Sequence, residues 1–312
     1  VQFEPQGLIF EPQIYPGFWA TSHAALPVPW VKDAQTLRIF FSMRDNQGRS
    51  HITYLDTDPA DPCQVSYVHP EPILPLGRPG TFDDNGMMPS WIVETPQGLY
   101  LYYIGWNPQV TVSYRLAIGL AISHDGGQTF ERYAEGPILD RAIDEPFFNT
   151  APCVLPNGLP GSPWQMWYVS CTGWSHVQGH PEPHYLIRRA LSDDGIHWQR
   201  TGETSIGYDA FTQGLAKPCV FVEDGLYHMI YAARSANNYR TDPAQSYRLR
   251  YASSLDGITW QEQALTLPRS PDGWDSQMVE YASTYSHQGQ RFLLYNGNGF
   301  GASGFGYAVR TA

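Results

Sequence analysis

Long apolar runs are missing from this chain. No stretch of about 18 consecutive apolar residues occurs, so no membrane-crossing helix is expected. Charge is scarce too. Asp, Glu, Lys and Arg make up 16% of the 312 residues, below the usual share of about a quarter. The charge present is acidic, with a formal net value of -11. This argues against a basic nucleic-acid surface and against attraction to anionic lipid. The first residues carry no basic segment followed by an apolar one, as a signal peptide would, and the chain opens on Val1. A cytoplasmic, bacterial location is the expectation, with a secreted or periplasmic one if a leader has been trimmed. Cysteine is sparse. Cys63, Cys153, Cys171 and Cys219 form no C-x-x-C and no Cys/His cluster that suggests zinc. Three of them sit in apolar, strand-like runs and are expected as buried thiols. A Cys153–Cys171 disulfide is the alternative. Sustained helical periodicity is also lacking, since no segment keeps a 3.6-residue apolar period past two turns.

Aromatic and turn-forming residues are plentiful: 10 Trp, 20 Tyr, 14 Phe, 29 Gly and 26 Pro. That mixture favours many short strands and tight turns. Three segments repeat one pattern: AIGLAISHDGGQTFER at 117–132, YLIRRALSDDGIHWQR at 185–200 and YRLRYASSLDGITWQE at 247–262. Each runs strand, Ser, Asp-Gly turn, aromatic, a strong hairpin signal. The turn residues Asp125, Asp194 and Asp256 read as structural. Two further strand-like runs precede each hairpin, giving units of four antiparallel strands. Less clear units occupy 23–58 and 278–311. Five such units predict an all-β, five-bladed β-propeller as a single domain over 1–312. The expected blades cover about 15–60, 82–135, 140–200, 210–262 and 272–312, with one end of the chain completing the blade of the other. Polar insertions at 107–115, 173–184 and 235–247 read as loops on one rim.

In a propeller the first strand of each blade lines the central channel, so residues at its start converge. These starts carry His23, Asp83-Asp84-Asn85, Asp144-Glu145, Lys217 and Glu280. Asp83 reads as a turn residue. Carboxylates sharing one funnel raise each other's pKa, as general acid chemistry near neutral pH requires. Asp84, Glu145 and Glu280 are therefore the candidate catalytic groups. Glu280 lies within a strand, where an unpaired carboxylate is costly and needs a partner or a ligand. The ends of the second strands add Arg44, Trp106, Thr172, Arg234 and Asn298. Aromatics beside hydrogen-bonding groups suit a sugar, and the arginines suit an acidic one. His23, Arg44, Trp106, Thr172, Lys217, Arg234 and Asn298 are the candidate substrate-binding residues.

With its hairpin motif and blade-start acids, the chain resembles the five-bladed propeller glycoside hydrolase superfamily, which spans invertase, arabinanase and mannoside phosphorylase relatives. The resemblance covers nearly the whole chain. It implies a glycosidase that cleaves a glycosidic bond in a carbohydrate substrate by carboxylate acid/base chemistry. Asp84 in DDNG then matches the second-blade aspartate and Glu145 in DEP the third-blade acid. The first-blade aspartate has no counterpart, and His23 stands in its place; the resemblance to branches that use carboxylates from later blades implies Asp275 or Glu280 as the base. That departure keeps two alternatives open: a phosphorylase, transferase, lyase or cyclase acting on a sugar-like substrate, and a non-catalytic carbohydrate-binding propeller. No organic cofactor and no catalytic metal is expected. A structural Ca²⁺ in the channel would find carboxylates and carbonyls to bind it.

Overall fold

The repeated runs form strands in the computed structural model, which describes residues 1–12, 19–156 and 163–311. They assemble as five antiparallel four-stranded blades. The first holds β2 (Ser22–Val31), β3 (Leu37–Arg44), β4 (Ser50–Thr57) and β5 (Val65–Val68). The second holds β6 (Met87–Thr95), β7 (Gly98–Pro108), β8 (Tyr114–Ser123) and β9 (Glu131–Arg132). The third holds β10 (Asn149–Leu155), β11 (Trp164–Val177), β12 (His180–Ser192) and β13 (Gln199–Ile206). The fourth holds β14 (Gly214–Glu223), β15 (Leu226–Arg234), β16 (Arg248–Ser254) and β17 (Gln261–Gln263). The last holds β18 (Glu280–His287), β19 (Gln290–Asn296), β20 (Phe305–Arg310) and, from the other end of the chain, β1 (Phe3–Phe10). The inner strands β2, β6, β10, β14 and β18 each pack on the next, and β18 returns to β2. The chain is a five-bladed β-propeller.

The ring closes where β1 pairs antiparallel with β20, from Phe3 opposite Arg310 to Phe10 opposite Phe305. Phe3 and Phe10 are buried. The Phe10 ring stacks on Phe305 at 5.9 Å and tilts against Phe41 of the first blade at 4.9 Å. Apolar side chains fill the wedges between blades. Tyr100, Tyr102, Val154 and Met166 occupy the wedge between the second and third, and Ile187, Leu215, Val220 and Met229 the next.

Three Ser-x-Asp-Gly turns fasten the second, third and fourth blades, each to the one before it. Inside each turn the serine hydroxyl donates to the aspartate and accepts a glycine N–H. The outward carbonyls then accept from the second strand of the preceding blade. Arg38 on β3 donates to Gly127 O at 3.0 Å, Tyr102 on β7 to Gly195 O at 2.7 Å, and Trp167 on β11 to Gly257 O at 3.2 Å. The motif is thus an inter-blade clasp, which is why it recurs.

Some boundaries differ from expectation. The first blade runs on to Val68, because β5 pairs with β4 beyond the expected edge at 60. The third likewise extends to Ile206. The expected loop at 173–184 is instead a strand ribbon, with β11 and β12 in register from Gly173–His184 to Val177–His180. Gln178 and Gly179 turn its tip, both with positive φ, as a two-residue hairpin demands. Residues 15–18 of the first expected blade lie outside the described residues. All four cysteines are free, with Cys63 exposed and the other three buried. Among the described residues no helix is long and apolar enough to cross a membrane.

Candidate active site

Each inner strand is broken by a bulge near its start. In four blades two residues face one on the neighbouring strand, at His23-Ala24, Ala151-Pro152, Lys217-Pro218 and Tyr281-Ala282. The first residue of each pair takes a left-handed conformation, with φ of 59°, 48°, 49° and 56° in that order. In the second blade the register shifts between Pro89 and Trp91. Such a conformation costs a non-glycine residue of order 1–3 kcal/mol and persists where the surrounding structure enforces it. Bulges re-aim side chains beside sites, and here four of them turn toward one mouth.

The mouth opens into a cavity of about 230 Å³ lined by all five blades. Its cations are Arg44, Lys217 and Arg240, and His23 stands among them. Five tyrosines join them: Tyr114, Tyr185, Tyr239, Tyr247 and Tyr281. Trp106, Phe148 and Phe300 give flat apolar walls, with the Trp106 ring 4.4 Å from that of Tyr114. No aspartate or glutamate lines this cavity among the described residues.

Burial sets its electrostatics. Desolvation, helped by the neighbouring charge of Arg44, lowers the His23 imidazole to about 4, so it is neutral at pH 7. Its Nδ1 lies 3.0 Å from Ser22 Oγ. Burial also lowers Arg44 and Lys217 and raises the hydroxyls of Tyr114, Tyr239, Tyr247 and Tyr281, which therefore stay protonated. Lys217 is fully buried, with Nζ 3.0 Å from Ser283 Oγ. Behind the wall the buried Arg234 guanidinium stacks on Tyr239 at 3.9 Å and donates to two backbone carbonyls. Arg240 and Tyr239 both bond to Glu182.

Glu280 is the carboxyl nearest this system in register. It immediately precedes the bulge residue Tyr281, as Thr150 precedes Ala151 and Ala216 precedes Lys217, and Thr150 and Ala216 both line the cavity. Glu280 is fully buried, and neither carboxyl oxygen accepts a hydrogen bond in good geometry. Burial pushes its pKa well above the ordinary carboxylate range. The Tyr281 hydroxyl and the charges of Arg240 and Arg234 oppose this less strongly. Glu280 therefore holds its proton more tightly than an ordinary carboxyl. Thr150 Oγ1 is likewise buried without a partner.

The expected cluster of three carboxylates is not assembled. Asp84 accepts from Asn107 at 2.7 Å and from the Gly80 N–H at 2.7 Å, and it borders a separate, shallower depression with Arg49, Asn85 and Asn107. Glu145 is enclosed by Asn149 at 2.6 Å, Ser170 at 2.7 Å, Tyr168 at 2.8 Å and Arg200 at 3.2 Å. These partners all belong to the third blade, and Glu145 does not reach the cavity. The bulges explain the difference: the convergent positions are His23, Ala151, Lys217 and Tyr281, so Glu145 precedes its blade's bulge by several residues. Asp275 accepts from Tyr295 and the Ser270 N–H. His23, Arg44, Trp106 and Lys217 do line the cavity, whereas Thr172, Arg234 and Asn298 do not. Thr172 bonds to His184 O and Tyr208 at the rim. Asn298 ties down the loop before β18 through Gln277, Met278 and Gly273.

Sequence reasoning missed Arg240 and the tyrosines. A signal existed for three of them. Tyr185 and Tyr247 each stand nine residues before the turn aspartate of their blade, and Tyr114 eleven before its own.

No family model matches the chain. Its fold is shared with a glycoside hydrolase (TM-score 0.73, 17% identity, 98% of this chain and 90% of that one). It is shared with a structure from the GH130 family of mannoside phosphorylases, described as containing glycoside hydrolases that target β-1,2 mannosidic linkages in Candida mannan (0.71, 14%, 99% and 93%). A thermostable family-43 glycoside hydrolase shares it too (0.64, 13%, 94% and 90%). Two sequence relatives are far nearer, each 40% identical over 296 residues and 93% of both chains. The chain belongs to the same family as these two, Uncharacterized protein MT1551 and Uncharacterized protein Rv1502 of Mycobacterium tuberculosis.

Proposed function

We propose that this protein is a carbohydrate-active enzyme that breaks a glycosidic bond in the central cavity, with Glu280 as proton donor. One observation carries the reading: a fully buried carboxyl with no hydrogen bond in good geometry, adjacent on β18 to the cavity-lining bulge residue Tyr281. A donor to a leaving oxygen must hold its proton at working pH, and burial shifts Glu280 in that direction. The aromatic wall of Trp106 and Phe148 suits the apolar face of a sugar ring, and the tyrosine hydroxyls suit its polar edge. The glycoside hydrolases that share the fold support the same reaction class. No carboxylate stands on the described wall, and Glu280 lies directly behind the lining residue Tyr281, so the partner role falls to His23. Its neutral imidazole can accept a proton from an attacking water. Glu145 and Asp84 then serve the architecture.

The test is turnover of a panel of aryl glycosides, with and without phosphate, by the wild type and by Glu280→Gln. Cleavage of one member is expected, and the variant should lose about 10²–10⁴-fold. Turnover only with phosphate would replace water with phosphate as the attacking group. An unaffected Glu280→Gln enzyme, or no turnover across the panel, would overturn the assignment.

A further inference from the structure

Acids outnumber bases 30 to 19 in this chain, so a cation left without a carboxylate is not left so by shortage. Most arginines do pair, as Arg38 does with Asp56, Arg132 with Asp83 and Arg240 with Glu182. Arg44 does not. Among the described residues its half-buried guanidinium makes no ion pair, and its only hydrogen-bonded group is its backbone. The acid beside it turns away, since Asp45 engages Arg49 at 2.8 Å and His51 at 3.0 Å. Lys217 and Arg234 are fully buried and, among the described residues, also lack a carboxylate partner. His23 carries no charge at pH 7, and Glu280 does not line the cavity. Arg44, on the cavity wall, and the buried Lys217 and Arg234 thus place positive charge at the cavity with no carboxylate facing it among the described residues, an arrangement that a bound anion would stabilise. A second observation agrees: Thr150, 6% exposed and on the cavity wall, has a hydroxyl with no partner.

We propose that the central cavity binds a compact oxyanion, a carboxylate or phosphoryl group, with Arg44 as its principal ligand, Arg240 beside it, and the Thr150 hydroxyl as a neutral donor. Arginine's planar fork suits either group. Lys217 and Arg234 supply field rather than contact. The inference rests on the cavity being the substrate site, and it narrows the substrate to an acidic sugar, a sugar phosphate, or a sugar processed together with free phosphate.

Isothermal titration calorimetry with inorganic phosphate, glucuronate, glucose 1-phosphate and glucose tests it. At least one anionic probe should bind saturably and more tightly than glucose. Arg44→Gln should weaken that binding by about 10- to 100-fold, the range of a lost charge-assisted hydrogen bond. Lys32→Gln, on the exposed β2–β3 turn, should leave it unchanged. The ligand-free Arg44→Gln protein should melt no lower than wild type, because no protein partner is lost. Binding of phosphate alone assigns the anion to free phosphate. Binding only when the charge is carried on a sugar assigns it to the substrate. Glucose binding as tightly as the anions, no anionic probe binding, or an unweakened Arg44→Gln protein would each overturn the proposal. Glu280→Gln should keep anion affinity while losing turnover, so failure of the anion site and failure of the acid assignment read out separately.

Discussion

Replacing Glu280 with glutamine keeps its shape and removes its proton equilibrium, and the consequence for stability has a definite sign. Burial raises the carboxyl well above its ordinary 4.5 in the folded state. Above that value the unfolded chain releases the proton while the folded one keeps it. Stability supplied by the neutral form is therefore complete below about pH 4.5 and is lost as pH rises toward the folded pKa, at about 1.4 kcal/mol per pH unit. Glutamine does not titrate, so the variant escapes this loss. Its stability relative to wild type should grow by that amount per unit, or roughly 2 °C in melting temperature for a chain of 312 residues. Thermal and urea unfolding of the ligand-free proteins, followed by circular dichroism between about pH 5 and 8, measures the gap. The pH at which it stops widening marks the folded pKa. A gap that does not change with pH, or one that widens in favour of wild type, would show that Glu280 is ionised in the native cavity. It would remove the basis for its role as an acid.

Asp83 provides a contrasting carboxylate. It is fully buried and accepts from Arg132 at 2.7 Å, Tyr103 at 2.9 Å and Thr81 at 3.0 Å, so Asp83→Ala should cost about 3–5 kcal/mol by leaving Arg132 unpaired. A loss below about 1 kcal/mol in denaturant unfolding would contradict this. Deleting residues 1–10 uncovers β20 and removes Phe3 and Phe10 from the core. The truncated protein should aggregate or melt far lower, and adding the missing decapeptide should restore part of the loss. A truncated form that melts like the full chain would show that the seam contributes little.

The architecture was legible because it repeats. Ser-x-Asp-Gly followed by an aromatic recurs in three blades, with one extra residue before Phe130 in the first copy, since each copy performs the same clasp on Arg38, Tyr102 or Trp167. The site was legible only in part. Spacing between blades located His23 and Lys217, which occupy the bulges themselves. The same spacing misplaced Glu145, because equal intervals along the chain do not fix the point where a strand kinks. A bulge is set by local backbone geometry. Its trace here is modest, the A-P-C and K-P-C strings at Ala151 and Lys217, and it is absent at Tyr281. Asp83 reads as a turn residue, and the turn around it does bring Gly77 against its carboxylate: a Cβ on Gly77 would sit 2.0 Å from Asp83 Oδ1. The unpaired state of Arg44 was beyond sequence reasoning, because Asp45 looks like its partner until the strand end shows it facing Arg49 and His51.

The seam between β1 and β20 also bears on how the chain is made. Phe3 pairs with Arg310, so β1 leaves the ribosome about 300 residues ahead of the strand it pairs with. At translation rates of about 5–20 residues per second, β1 waits roughly 15–60 s for that partner. Through this interval it is an apolar segment that could add to another sheet edge, on this chain or on a neighbouring one. Its composition limits that risk. Glu4 and Pro5 interrupt the first half, and the pairing it finally makes is irregular, shifting register between Pro5 and Gly7 and again between Leu8 and Phe10. A regular strand edge offers a poor match to that spacing, whereas β20 offers the right one. The ring therefore cannot be locked until β20, the strand of the last blade that β1 pairs with, has been made.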